Sequence, residues 1–163
     1  MTVAWRRRMG RALVVSAVAL ATAACAGPPP PPEFKGILAT GTVAEARTAV
    51  PFRVRQPAYA PEGAKLAAVE WSTQMGAPFV VQRYSMATGQ GFYILAIQPS
   101  EEFDTPPIDN EMLIQGRMAT LMAIREDDRL LEWRLFWRVG GVYHLVAGDV
   151  AADEMVRIAS SLR

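Results

Sequence analysis

Few side chains in these 163 residues are equipped for chemistry. The chain holds one histidine, His144, and one cysteine, Cys25. An imidazole acting as general base needs a nucleophile and an orienting carboxylate. Neither a Gly-x-Ser-x-Gly elbow nor a Ser-x-x-Lys pair is present to serve it. His144 therefore reads as a structural or surface histidine, and the catalytic residue set as empty. Glu101, Glu102, Asp104, Asp109 and Glu111 gather carboxylates in one stretch, with Asp127 and Asp128 further on. Calcium takes such oxygen ligands, but EF-hand spacing is absent and Pro106-Pro107 interrupts the run. A solvated acidic loop is expected, with no metal and no cofactor. One cysteine excludes a disulfide framework and a cysteine-based zinc site.

Trp133 and Trp137 share one face of a strand with Leu131 and Leu135, while Arg134 and Arg138 share the other. The tryptophans read first as core, since large aromatics dominate buried area, and second as the wall of an apolar groove. Arg134 and Arg138, with Arg125 and Arg83, would make a basic stripe if their strands are neighbours. Glu70 and Glu132 would pair with it on a solvated face, leaving a docking surface for an acidic partner as the alternative. Trp133, Trp137, Arg134 and Arg138 are thus the candidate ligand or partner surface. Met112, Met118, Met122, Met75 and Met86 suit an irregular core or an adaptable binding surface.

The elements that must position these residues follow a leader. Arg6, Arg7, Arg8 and Arg11 precede an apolar run from Ala12 to Ala24, which ends at Cys25. Thirteen helical residues reach about 20 Å, short of a bilayer core of roughly 30 Å, so an export signal over 1–24 is expected rather than a permanent span. Thr22-Ala23-Ala24-Cys25, followed by Ala26-Gly27, resembles a bacterial lipoprotein lipobox, with Thr22 where Leu is usual. The resemblance implies a diacylglycerol on the Cys25 thiol and a membrane anchor on the extracytoplasmic side of the cell envelope. Ordinary secretion with cleavage after an Ala-x-Ala-like site is the alternative. An arginine pair before an apolar run also resembles a twin-arginine signal. Pro28 to Pro32 form an extended spacer within a linker over 25–40.

Four of the seventeen basic residues lie in the leader, which leaves thirteen basic against sixteen acidic residues from Cys25 onward. That balance excludes a strongly basic nucleic-acid binder, which needs a clustered positive face. The remaining 41–163 fits one domain. Thr42-Val43-Ala44-Glu45 has capping-box spacing and predicts a helix over Val43 to Ala49, stopped by Pro51. Phe52-Arg53-Val54 reads as a brief strand before a turn-rich loop, Pro57 to Gly63. Strands are expected over 65–72, 79–86, 92–97, 118–125, 131–139 and 142–147. In the clearest of them Leu131, Trp133, Leu135, Trp137 and Val139 alternate with Glu132, Arg134 and Arg138, which implies one wet side. A closing helix from about Ala151 carries Met155, Ile158, Ala159 and Leu162 on one stripe, with Asp149 as its cap. The expected fold is α+β. It is a single antiparallel sheet of about six strands, with a short N-terminal helix and a C-terminal helix packed on one face.

Glu45-Ala46, Val50-Pro51-Phe52-Arg53-Val54 and Pro57-Ala58-Tyr59-Ala60-Pro61-Glu62-Gly63 open a pattern that continues later. It runs through Glu132-Trp133, Gly140-Gly141-Val142-Tyr143-His144-Leu145 and Ile158-Ala159-Ser160-Ser161-Leu162. Over roughly 45–163 this resembles the bacterial extracytoplasmic domain of unknown function 4367, found in lipoproteins and anti-sigma-factor-like membrane proteins. Ala60 stands where that family commonly has Leu. A looser likeness is to the C-terminal domain of periplasmic sigma-factor regulators. These resemblances bring no catalytic residues. They imply a non-enzymatic binding or sensor domain for an envelope protein partner or an apolar ligand. A structural or envelope-assembly lipoprotein is the alternative.

Overall fold

The computed structural model describes residues 38–73, 77–99 and 110–163. The leader, Cys25, the proline spacer, Met75 and the carboxylates from Glu101 to Asp109 lie outside the described residues. No helix among the described residues is long and apolar enough to cross a membrane.

The chain is α+β. In order it forms β1 (Ala39–Thr40), α1 (Val43–Ala49), β2 (Lys65–Ser72), β3 (Phe79–Ser85), β4 (Gly91–Ile97), β5 (Glu111–Ile114), β6 (Arg117–Glu126), β7 (Arg129–Val139), β8 (Val142–Gly148) and α2 (Ala152–Ser160). The eight strands make one sheet in the order β1-β2-β3-β4-β8-β7-β6-β5, and every pairing is antiparallel. Two meanders, β2–β4 and β5–β8, are thus joined through β4 and β8.

The count of about six strands is corrected to eight. β1 has only two residues, too few to show a period, and it pairs with Glu70 and Trp71 two residues before Gly41. β5 is a four-residue strand adjoining the acidic stretch. Its hairpin to β6 turns on Gln115 and Gly116, both with positive φ (51° and 73°), as a tight primed turn requires. Phe52-Arg53-Val54 joins no strand. It belongs to a strap that ties residues 56–59 to the C-terminus, with Gln56 N–H donating to the Arg163 carbonyl at 2.9 Å and the reciprocal bond at 3.0 Å.

α1 follows its local code. Thr42 Oγ1 accepts from the Glu45 amide at 3.2 Å, and the Glu45 carboxylate accepts from the Thr42 amide at 2.7 Å. The Asp149 cap is corrected. Ala151 is the N-cap of α2 and has no side-chain cap bond. Asp149 Oδ1 instead accepts from the Gly91 amide at 2.8 Å, tying the start of β4 to the end of β8. Val150 and Ala151 set the carboxylate too far from the first turn, and a free strand amide lies nearer. Asp153 and Glu154 meet the helix dipole in its place.

Registers put Val80, Ala96, His144 and Trp137 in one row, and Val69, Gln82, Ile94, Val146, Leu135 and Leu121 in the next on the same face. Both helices cover this face. α2 buries Met155, Ile158 and Ala159 among Ile114, Leu135, Trp137 and Val146, with Trp133 partly buried at the margin. α1 buries Val43 and Ala46 against Val69 and Val80.

The opposite face is not wet throughout. Phe79, Val81, Tyr93 and Ala147 are buried there, flanked by Leu95, Ile97 and Leu145. Glu132 lies on it at 5% exposure, bonded to Arg134, so one residue assigned to the solvent side is buried. Alternation within β7 distinguishes its two faces; the apolar residues of β3, β4 and β8 decide what the second face meets.

Candidate functional site

A cavity of about 300 Å³ opens on the helix-covered face, between the exit of α1 and the far ends of β7 and β8. Pro51 explains its roof. A proline lacks an amide hydrogen and pushes the preceding residue out of the helical region, so Val50 is extended (φ −100°, ψ 151°) and α1 stops. Pro51 and Phe52 then form a bend, and residues 53–56 run on without regular secondary structure. Val54 is buried in the α1 cluster, and the Arg55 carbonyl accepts from Gln82 Nε2 at 2.8 Å. So anchored, Phe52, Arg53 and Arg55 border the cavity.

The floor comes from the sheet. The β7–β8 turn uses Gly140 and Gly141 at φ 57° and 79°, values that favour glycine. Val139, Gly140 and Val142 line the cavity beside His144, and Gln98 closes it just past β4. The His144 ring stacks on Trp137, centroids 5.3 Å apart and planes 19° apart.

His144 is 3% exposed, and among the described residues no hydrogen bond reaches its ring. Burial, followed by the positive charge of Arg55, pushes its pKa down to about 4. The imidazole is therefore neutral at pH 7, offering one donor and one acceptor. Gln98 Oε1 is buried with no hydrogen-bond partner among the described residues. Arg55 donates from Nη1 to Gln115 Oε1 at 3.2 Å, whereas Arg53 is exposed and forms no ion pair among the described residues. Among the described residues the lining contains no carboxylate, hydroxyl or thiol side chain. Its arginines, imidazole and amide can hold a ligand by charge and hydrogen bonds.

The residues proposed from sequence do not meet at one surface. Trp137 is buried beneath His144 and Trp133 borders the core cluster, whereas Arg134 and Arg138 belong to the opposite face. The basic stripe is corrected as well. β4 and β8 separate Arg83 on β3 from the β7 arginines, so the four side chains form two local groups. Arg83 pairs with Glu70 at 2.8 Å, Arg134 pairs with Glu132, and Arg138 lies over the Tyr143 ring. Sequence reasoning missed Arg53, Arg55 and Gln98. The available signal was Arg-x-Arg in the short segment between Pro51 and Pro57.

A second feature lies at the β5 edge. Leu113 and Met118 face each other across β5 and β6 and are 68% and 55% exposed. Among the described residues no group of three or more His, Cys, Asp or Glu is placed to hold a metal ion. Compared with known proteins, the chain matches no family model, no curated protein and no solved structure.

Proposed function

We propose that this protein is a lipid-anchored bacterial envelope protein whose extracytoplasmic domain binds a ligand without turning it over, as a binding or sensor module. The observation that carries this reading is a cavity bordered by Arg53, Arg55 and His144 in which Gln98 Oε1 is buried with no hydrogen-bond partner among the described residues. Buried polar groups in folded proteins are normally satisfied, and an unsatisfied one in a cavity is a place for a ligand's own polar atoms. The Cys25 lipobox and the proline spacer support placing the domain outside the membrane, and the likeness of 45–163 to domain 4367 belongs to the same reading. Two acyl chains on one cysteine meet the two-signal condition for stable anchoring. Cys25→Ala is expected to move the protein from the membrane fraction to the soluble exported fraction. Unchanged partitioning would remove the anchor from this account.

The exposed Leu113–Met118 pair favours a second reading, a structural or envelope-assembly lipoprotein that makes protein contacts through its β5 edge. An edge strand carries unpaired backbone groups, and exposed apolar side chains beside them suit a protein neighbour. Crosslinking in intact cells separates the two. Loss of envelope-protein crosslinks in a Leu113→Asp, Met118→Asp double variant would favour assembly.

A further inference from the structure

We propose that the His144 cavity takes a small amphipathic carboxylate bearing a hydrogen-bond donor beside its charge, the chemistry of a short-chain 2-hydroxy acid. This rests on the reading of the cavity as a binding site and names its ligand class.

The lining divides into three kinds of wall. Arg53 and Arg55 border the cavity; Arg55 Nη1 donates to Gln115 Oε1 and the Leu162 carbonyl, and neither arginine forms an ion pair among the described residues. Guanidinium forks match a planar carboxylate with charge-assisted hydrogen bonds. Opposite in chemistry is Gln98 Oε1, a buried acceptor with no donor among the described residues. Left unpaired, such an oxygen costs free energy, and a ligand hydroxyl or amine next to the carboxylate would satisfy it. His144 accommodates either group, since a neutral imidazole donates from one nitrogen and accepts at the other. Phe52, Val139 and Val142 form the third wall, apolar, and it suits an alkyl chain better than a fourth set of oxygens. The volume of about 300 Å³ lies at the small end of ligand pockets, which fits a ligand of this size rather than a folded partner.

An anion beside His144 also opposes the two influences that keep its ring neutral, burial and the Arg55 charge. Occupancy is therefore expected to raise the imidazole pKa from about 4.

The chain contains one histidine, so its imidazole proton resonances report this site without assignment. The exported protein, purified from the membrane fraction in detergent, is titrated with 2-hydroxyhexanoate, hexanoate, hexan-1-ol and inorganic phosphate. 2-Hydroxyhexanoate is expected to shift the resonances saturably and to raise their titration midpoint. Hexanoate, lacking the donor for Gln98, should bind roughly tenfold more weakly. Arg53→Ala should weaken 2-hydroxyhexanoate about tenfold. Arg53 is exposed and unpaired, so this variant keeps the fold. Hexan-1-ol binding as tightly as the acids would overturn the carboxylate class while leaving a binding cavity. Phosphate binding as tightly would make it a bare anion site, again overturning the class alone. An unaffected Arg53→Ala variant would do the same. If no probe moves the resonances, both this proposal and the reading of the cavity fall.

Discussion

Two ends of one sheet face differ in what covers them. Beneath α2, Ile114, Leu135, Met155, Ile158 and Leu162 are fully buried and purely apolar. At the other end the cover is the irregular segment from Pro51 to Arg55, and beneath it lie a cavity and an imidazole that no hydrogen bond reaches among the described residues. A helix sets residues three and four apart side by side, so its apolar stripe seals a sheet continuously. The segment after Pro51 has no such period; it buries Val54 and packs Phe52 partly against the same cluster. The polar site lies where the cover changes from a helix to an irregular segment.

The largest test of this contrast is at the sealed end. Ile158→Ala removes a fully buried side chain from beneath α2. It should lower stability by about 2–5 kcal/mol in urea unfolding, because the surrounding atoms relax only partly into the space. A loss under roughly 1 kcal/mol would mean that α2 does not seal the core and that the two ends are alike.

A pH profile sharpens the comparison from the cavity end. His144 has its folded pKa depressed to about 4 from an ordinary 6.5. The unfolded chain thus takes up a proton where the folded chain does not. The stability associated with the neutral ring is complete above pH 6.5, declines as pH falls toward 4, and is constant below that. The span is on the order of 3 kcal/mol. Among the described residues, Arg55 is the charged group that acts on the ring, and Arg53 borders the same cavity. His144→Phe should flatten that part of the profile while costing little at neutral pH, since no hydrogen bond is lost. An identical acid limb in both proteins would show that the ring is solvated, and the contrast would fail.

The smallest effect is expected at Arg53. Arg53→Ala, at an exposed and unpaired position, should change unfolding stability by no more than about 0.5 kcal/mol. A larger loss would make Arg53 part of the cover and not of the site.

Elements with a complete local signal were legible from the chain alone. The Thr42–Glu45 capping box and Pro51 delimit α1 at Val43–Ala49. Met155, Ile158 and Ala159 of the stripe are buried as helical spacing implies, on the same face as Trp133 and Trp137. Leu162 lies past the end of α2 and is buried where it bridges to Pro57. Alternation in β7 separates Leu135 and Trp137 from Arg134 and Arg138. Each signal lies within about a dozen residues, the range over which backbone period and capping act. β5 escaped because four residues and a Gln-Gly turn carry little period.

The site was decided at longer range. Pairing β4 with β8 puts Ala96 opposite His144, and so brings Gln98 to the same end of the sheet. The strap from Pro51 brings Arg53 and Arg55 over them from far earlier in the chain. Glu132 lies on a buried patch because of apolar residues on strands distant in sequence. A strand's own alternation distinguishes its two faces. Which strands become neighbours, and what lies over each face, depends on long-range packing, and those contacts depress the His144 pKa and leave its ring unpaired.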